Sequence, residues 1–227
     1  MTTRRAAAWL AAGTLALVPL AVPLAPALPA AAAAPATTTT TSAVPDEVKV
    51  DFGETVDVAV DVASADDDAL TAGTSTLYAR PAGARRWRAV ETSTSASSDF
   101  IEVRPRQTTS YKVVYRGYSP TSSADESFAP STSGVFVVQV ARTITYPSGG
   151  FDLTGRVRPG YANRRIVVKV SSEEHGGFEK YARISTDDRG RYRISLPRRS
   201  GEWFWAFIVK GDEQFLGTRF KWRTWVS

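Results

Sequence analysis

Cysteine is absent from all 227 residues, and histidine and methionine occur once each. No disulfide can staple this fold, and no thiol is present for lipid attachment, nucleophilic attack or metal ligation. Without disulfides an exported chain must rely on buried apolar surface, which domains of about 90 residues can supply. Long apolar runs are scarce too. Ala6 to Val22 is apolar apart from Gly13, Thr14 and Pro19. The prolines after Val18 break that run before the roughly 20 residues a membrane-spanning helix needs. A sustained helical period is missing from the rest of the chain, which excludes a helical bundle.

What the N-terminus has is an export signal. Arg4 and Arg5 precede the apolar run, and Pro23 to Ala36 is made of small residues and proline. A basic start, an apolar middle and a small-residue exit predict a secretory signal peptide over 1–36, cleaved between Ala30 and Ala36. After cleavage no membrane span is expected, and the protein is expected to be secreted or associated with the cell envelope. Export without cysteine, in an alanine- and arginine-rich chain with a single asparagine, fits a bacterial protein from a high-GC genome such as an actinomycete's.

Charge is distributed unevenly. Residues 37–143 carry 10 basic and 14 acidic side chains, a balance of −4, whereas 144–227 carry 16 and 9, a balance of +7. The high overall pI thus belongs to the second half.

The hydroxyl-rich run Thr37 to Ser42 has no apolar side chain to bury and reads, with the residues to 44, as a flexible leader. Beyond it the pattern is strand-like. Val56, Val58, Val60 and Val62 alternate with Asp57, Ala59 and Asp61, the period of a strand with one buried face. Similar runs recur at Ser75–Arg80, Trp87–Thr92, Phe100–Val103, Ser110–Arg116 and Val135–Ala141. In the second half they fall at Gly150–Val157, Ile166–Ser171, Glu179–Ser185, Tyr192–Leu196, Trp203–Val209 and Arg219–Trp225. Turn residues such as Pro81-Ala-Gly83, Asp187-Asp-Arg-Gly190 and Lys210-Gly-Asp212 separate them. Short strands with turns at this spacing predict a sandwich or small barrel.

An internal repeat favours two domains. A shift of 91 places Trp87 on Phe178 and Val90 on Tyr181. A shift of 92 then places Phe100 on Tyr192, Tyr111 on Trp203, Val113 on Trp205 and Tyr115 on Phe207. The expected order is a first domain over 45–143 and a second, basic and aromatic-rich domain over 144–227, joined near Arg142 to Pro147.

The stretch Leu77-Tyr-Ala-Arg-Pro-Ala-Gly-Ala-Arg-Arg-Trp87-Arg-Ala-Val90, then Phe100 and Thr108 to Tyr111, resembles the bacterial Ig-like repeats of actinobacterial secreted proteins. Thr154-Gly-Arg-Val157, Thr186 to Tyr192 and Gly201-Glu-Trp203 resemble them more loosely. The resemblance implies an all-β protein of two tandem immunoglobulin-like β-sandwich domains. It is uninformative about function, because such modules serve as spacers, adhesins and binding domains alike.

The inventory for catalysis is thin. His175 lies in Glu173-Glu-His-Gly-Gly177, which reads as a solvated hairpin tip, and no Gly-x-Ser-x-Gly elbow occurs. The spacings of a zinc site are missing. Asp66-Asp-Asp68 lacks the glycine and spaced acids of a calcium loop, and Asp187-Asp188 suits a turn better than a glycosidase pair. No catalytic residue, metal ligand or cofactor is assigned, and the chain is not expected to be an enzyme.

One feature supports a functional expectation. In the last strand Arg219, Lys221 and Arg223 alternate with Phe220, Trp222 and Thr224, giving a basic face and an aromatic face, with Trp225 near the end expected to be exposed. The candidate binding residues are therefore Arg219, Lys221, Trp222, Arg223 and Trp225. The expected partner is an anionic cell-wall polymer or an envelope protein, drawn by charge. The alternative is a carbohydrate held on a platform of Trp222 and Trp225. Export disfavours nucleic acid.

Overall fold

Among the described residues of the first half, alternation of β-branched and aromatic residues with polar ones produces nine strands. They are β1 (Thr39–Pro45), β2 (Lys49–Asp51), β3 (Val56–Ser64), β4 (Ser75–Pro81), β5 (Arg88–Ser93), β6 (Phe100–Val103), β7 (Thr109–Tyr115), β8 (Ser131–Thr132) and β9 (Phe136–Ala141). The second half adds β10 (Thr143–Ile144), β11 (Asp152–Arg158), β12 (Arg165–Ser171), β13 (Glu179–Ser185), β14 (Arg191–Ser195), β15 (Gly201–Val209) and β16 (Thr218–Val226). This computed structural model describes residues 35–122, 125–145 and 150–227. The expected signal peptide, apart from its last two residues, and residues 146–149 at the expected join lie outside the described residues.

The strands form two sandwiches. In the first, the sheet β1-β3-β6 lies against β2-β9-β7-β4-β5; in the second, β10-β11-β14 lies against β13-β12-β15-β16. Strands β3, β6, β4, β5, β7 and β9 hold the same sheet positions as β11, β14, β12, β13, β15 and β16. This is the antiparallel, crossed-over order of an immunoglobulin-like sandwich, present twice in tandem. The repeated residues match it: Tyr111, Val113 and Tyr115 are buried on β7, and Trp205 and Phe207 on β15. The valines of β3 face inward, with Asp57 and Asp61 outward.

Two cores result. One gathers Val58, Val62, Leu77, Phe100, Val113 and Tyr115, the other Leu153, Ile166, Tyr192, Trp205, Phe207 and Phe220. Trp205 is fully buried and its Nε1–H donates to Thr224 Oγ1 at 2.9 Å, satisfying the one polar atom it takes out of water.

The leader expectation is overturned. Thr39–Pro45 is strand β1, paired antiparallel with β3 from Thr39↔Ser64 to Pro45↔Val58. Beside this ladder and the packing of Ala43 on the core, its hydroxyls anchor it. The Thr39 hydroxyl donates to the Ala129 carbonyl and to Ser131 Oγ, both at 2.8 Å, and Thr41 Oγ1 lies 2.6 Å from Ser131 Oγ. Threonine is also a good strand former.

A second feature crosses the domain division. The β15–β16 connection reaches into the first sandwich, where Phe215 joins the core and meets Phe52 edge-on at 6.4 Å. The Leu216 N–H donates to the Val140 carbonyl at 2.8 Å, the Arg142 N–H to Leu216 at 3.1 Å, and the Thr108 N–H to Gln214 at 2.8 Å. Arg142, 1% exposed, fills the junction. Its Nη2 donates to Asp212 Oδ2 at 2.6 Å and its Nε to the Pro159 carbonyl at 3.1 Å. The guanidinium lies over the Tyr161 and Phe215 rings, 5.2 and 4.7 Å from their centres.

Burial would raise the Asp212 carboxyl, but hydrogen bonds from Arg142, Arg164 and the Phe215 N–H outweigh it and hold the group at about 2, below its ordinary 3.8. A carboxyl depressed in this way stabilises the fold fully above its unfolded value and loses that contribution as pH falls through the folded one.

Stability should fall between about pH 4 and pH 2, by about 1–2 kcal/mol from this group once its partial exposure is allowed for. The same acid titration on Asp212→Asn should show a shallower fall. At neutral pH, Asp212→Ala should cost about 3 kcal/mol or more in urea unfolding, because it strands a buried guanidinium. Separately, a Cβ at Gly155 would lie 2.5–2.6 Å from the ring and hydroxyl of Tyr192, its cross-strand partner. Tyr192 is buried beside Phe207 and cannot yield freely, so Gly155→Ala should destabilise by about 1–3 kcal/mol in the same assay.

Candidate functional site

Among the described strands β16 pairs only with β15 and so forms one edge of the second sandwich's larger sheet. Its side chains alternate strictly. Phe220 and Thr224 are buried, Trp222 is half-buried against the core, and Arg219, Lys221, Arg223 and Trp225 are exposed. Edge strands carry charge as a defence against pairing with other chains. Here the charge continues beyond the edge.

Register across β13, β12, β15 and β16 aligns the outward residues in rows. One row reads Arg183, Val167, Ile208, Arg219; the next reads Lys180, Lys169, Ala206, Lys221. A third reads Ser171, Phe204, Arg223, and a fourth pairs Glu202 with Trp225. Lysine stems and small or half-buried apolar residues thus floor a face that presents six cations. Residues two apart on one strand are about 6.7 Å apart, so β16 alone offers a ladder of positive charge at that step.

Few anions oppose it. Arg223 pairs with Glu202 at 3.0 Å, and Lys221 Nζ donates to the backbone carbonyl of Glu174 at 3.0 Å, with the Phe178 ring 5.9 Å away. Among the described residues no carboxylate is paired with Lys169, Lys180, Arg183 or Arg219. These first three residues were missed by sequence reasoning. Their place beside β16 depends on strand order and on the bulge between Val168 and Lys169, which brings Lys180 opposite Lys169.

The first sandwich differs. On its corresponding face Arg80 lies over the Trp87 ring at 4.7 Å, and Lys112 lies 5.1 Å from Trp87 and 6.0 Å from Tyr78. Its cations are already engaged with rings.

The tryptophan platform is not formed. Trp222 and Trp225 have opposite parity on one strand and project to opposite faces of the sheet. Trp222 turns inward and its Nε1–H donates to the Gly150 carbonyl at 3.2 Å, whereas Trp225 is 65% exposed among the cations.

The other residues considered for chemistry stand apart. His175 is exposed at a turn, 3.8 Å from Glu174. Asp187 Oδ1 accepts the N–H groups of Arg191 at 2.7 Å and Arg189 at 2.9 Å, a turn-stabilising arrangement that lowers its pKa. The amides of Asp66 and Asp68 donate to Ser64 Oγ, both at 3.3 Å. Among the described residues no three His, Cys, Asp or Glu side chains converge as metal ligands do.

No protein-family model matches the chain, and no curated protein matches it. Solved structures similar to it include the three that follow. The tetra-tandem repeat in the extending region of a large adhesion protein is 10% identical over 83% of this chain, with a TM-score of 0.34; the chain spans about half of it, 49%. A two fibronectin type-III domain segment from chicken tenascin is 12% identical over 81% of this chain and 98% of its own, with a TM-score of 0.43. The FN1–FN3 domains of chicken CNTN1 are 12% identical over 82% of this chain and 66% of theirs, with a TM-score of 0.31.

The opposite facing of the two tryptophans has a measurable consequence. In denaturant unfolding, Trp222→Ala should cost about 2–3 kcal/mol through lost packing, while Trp225→Ala should stay within about 0.5 kcal/mol of the parent.

Proposed function

We propose that this is an exported, non-catalytic interaction module of the cell envelope that binds a linear anionic wall polymer on the outer face of β13-β12-β15-β16. One observation supports the reading above all: Lys169, Lys180, Arg183, Arg219, Lys221 and Arg223 share that face, with Glu202 the one carboxylate in its rows. A flat face with charges at a regular step suits an extended polymer more than a compact substrate. The attraction is electrostatic, so it screens over about 8 Å at physiological ionic strength.

The first sandwich, with its acidic balance, would be repelled by the same polymer and held away from it. The carbohydrate alternative retains a single exposed ring, Trp225, which is less than the stacked pair that reading requires. Binding to an acidic envelope protein would use the same charges and competes directly with the polymer reading.

Binding of the mature chain to isolated cell walls, followed from low to high salt, tests the proposal. Affinity should fall steeply with salt, and Arg219→Glu/Lys221→Glu should lower it by about tenfold or more at low salt. Retention that survives high salt and fails in Trp225→Ala would favour carbohydrate. Walls stripped of anionic polymer that still bind equally would favour a protein partner.

A further inference from the structure

The basic face does not end at its last row. Beyond Arg183 and Val167, toward the first sandwich, it runs into a cavity of about 410 Å³ lined by Arg164, Arg165, Arg183, Lys210, Val167 and Tyr161, among others. Its cations come from three places in the chain: the start of β12, the middle of β13 and the residue after β15. Tyr161 ties two of these together. Its hydroxyl donates to the Arg165 carbonyl at 2.7 Å and accepts the Lys210 N–H at 3.3 Å. A further constraint comes from Asp212, which holds Arg164 at 2.5 Å while it holds Arg142 at 2.6 Å. The Lys210 carbonyl lies 3.4 Å from Arg142 Nη1. The cavity wall is thereby fixed to the buried junction.

Among the described residues Asp212 is the one carboxylate paired with any of these four cations, and it is shared with Arg142. Arg165, Arg183 and Lys210 are exposed and are paired with no described carboxylate. We infer that this cavity is an end subsite for a phosphate monoester, taking the doubly charged terminus of a chain whose internal phosphodiesters lie along the β16 ladder. Internal diesters carry one charge each and match the single cations of the rows. A terminal monoester carries about two charges near neutral pH and three oxygens, which matches convergent guanidinium groups able to bind in a fork. The cavity is larger than a phosphate alone, leaving room for the unit that bears it, with Val167 beneath.

This inference rests on the polymer reading above, and the test separates the two. The full mature chain is titrated with glycerol phosphate, a soluble monoester, and in parallel with linear polyphosphate. Two variants are compared: Arg165→Gln/Lys210→Gln in the cavity and Arg219→Gln/Lys221→Gln on the ladder. All four side chains are exposed, and circular dichroism confirms that each variant is folded. The cavity variant is expected to weaken glycerol phosphate by about tenfold or more, with the ladder variant within about twofold of the parent. The ladder variant should instead show the larger loss for polyphosphate. If glycerol phosphate weakens equally in both variants, or fails to bind the parent while polyphosphate binds, the end subsite is overturned and the polymer reading stands. If neither ligand binds the parent, both fall together.

Discussion

The Arg142 guanidinium is closed off from solvent at the meeting of the two sandwiches, and the geometry of the second depends on how its charge is met. Asp212 supplies the counter-charge, Pro159 and Lys210 supply carbonyl acceptors, and the rings of Tyr161 and Phe215 lie against it. A charge so enclosed costs several kcal/mol unless each of these partners is in place. That requirement fixes the loop from Lys210 to Gly217, which ends β15 and starts β16. The loop in turn places Phe215 in the first core and Arg164 and Lys210 beside the cavity. Junction and basic cavity thus share Asp212, which meets both Arg142 and Arg164.

The two sandwiches put the same topology to different electrostatic use. In the first, Arg80 and Lys112 lie over Trp87 and Tyr78, so the rings take up the cations that the outward face carries. In the second, the corresponding face is floored by Val167, Ala206 and Ile208, and its arginines and lysines stand over aliphatic ground with little to neutralise them. Several rings of that domain pack inward, where Phe207 stacks on Phe220 at 4.4 Å and Tyr181 meets the buried Trp205 edge-on at 5.0 Å, while Phe204 and Trp225 lie in the outward rows. The aromatic richness of the second half is chiefly core, and its basicity is chiefly surface.

Period-two alternation made most of the strands readable, because one buried face per strand writes valines and rings at every second position. The same rule already separated Trp222 from Trp225 by parity, since residues three apart on a strand face opposite ways; the platform expectation overlooked it. Strand β1 was misread because its anchors are hydroxyls bonded to Ser131 and Ala129, which leave no apolar signature. Lys169, Lys180 and Arg183 could not be joined to the β16 ladder without knowing strand order and the bulge. The junction was the least readable feature. Lys210-Gly-Asp212 has the composition of an ordinary turn, and nothing in the local pattern tells that Phe215 leaves its own domain to fill another's core.

The claim that the two sandwiches are locked into one unit by the Arg142–Asp212 contact is tested most directly by scanning calorimetry of the mature chain at neutral pH. A single transition, with calorimetric and van't Hoff enthalpies equal, is the predicted result, because the first core lacks Phe215 while the junction is open. Two separated transitions, one for each sandwich, would contradict it.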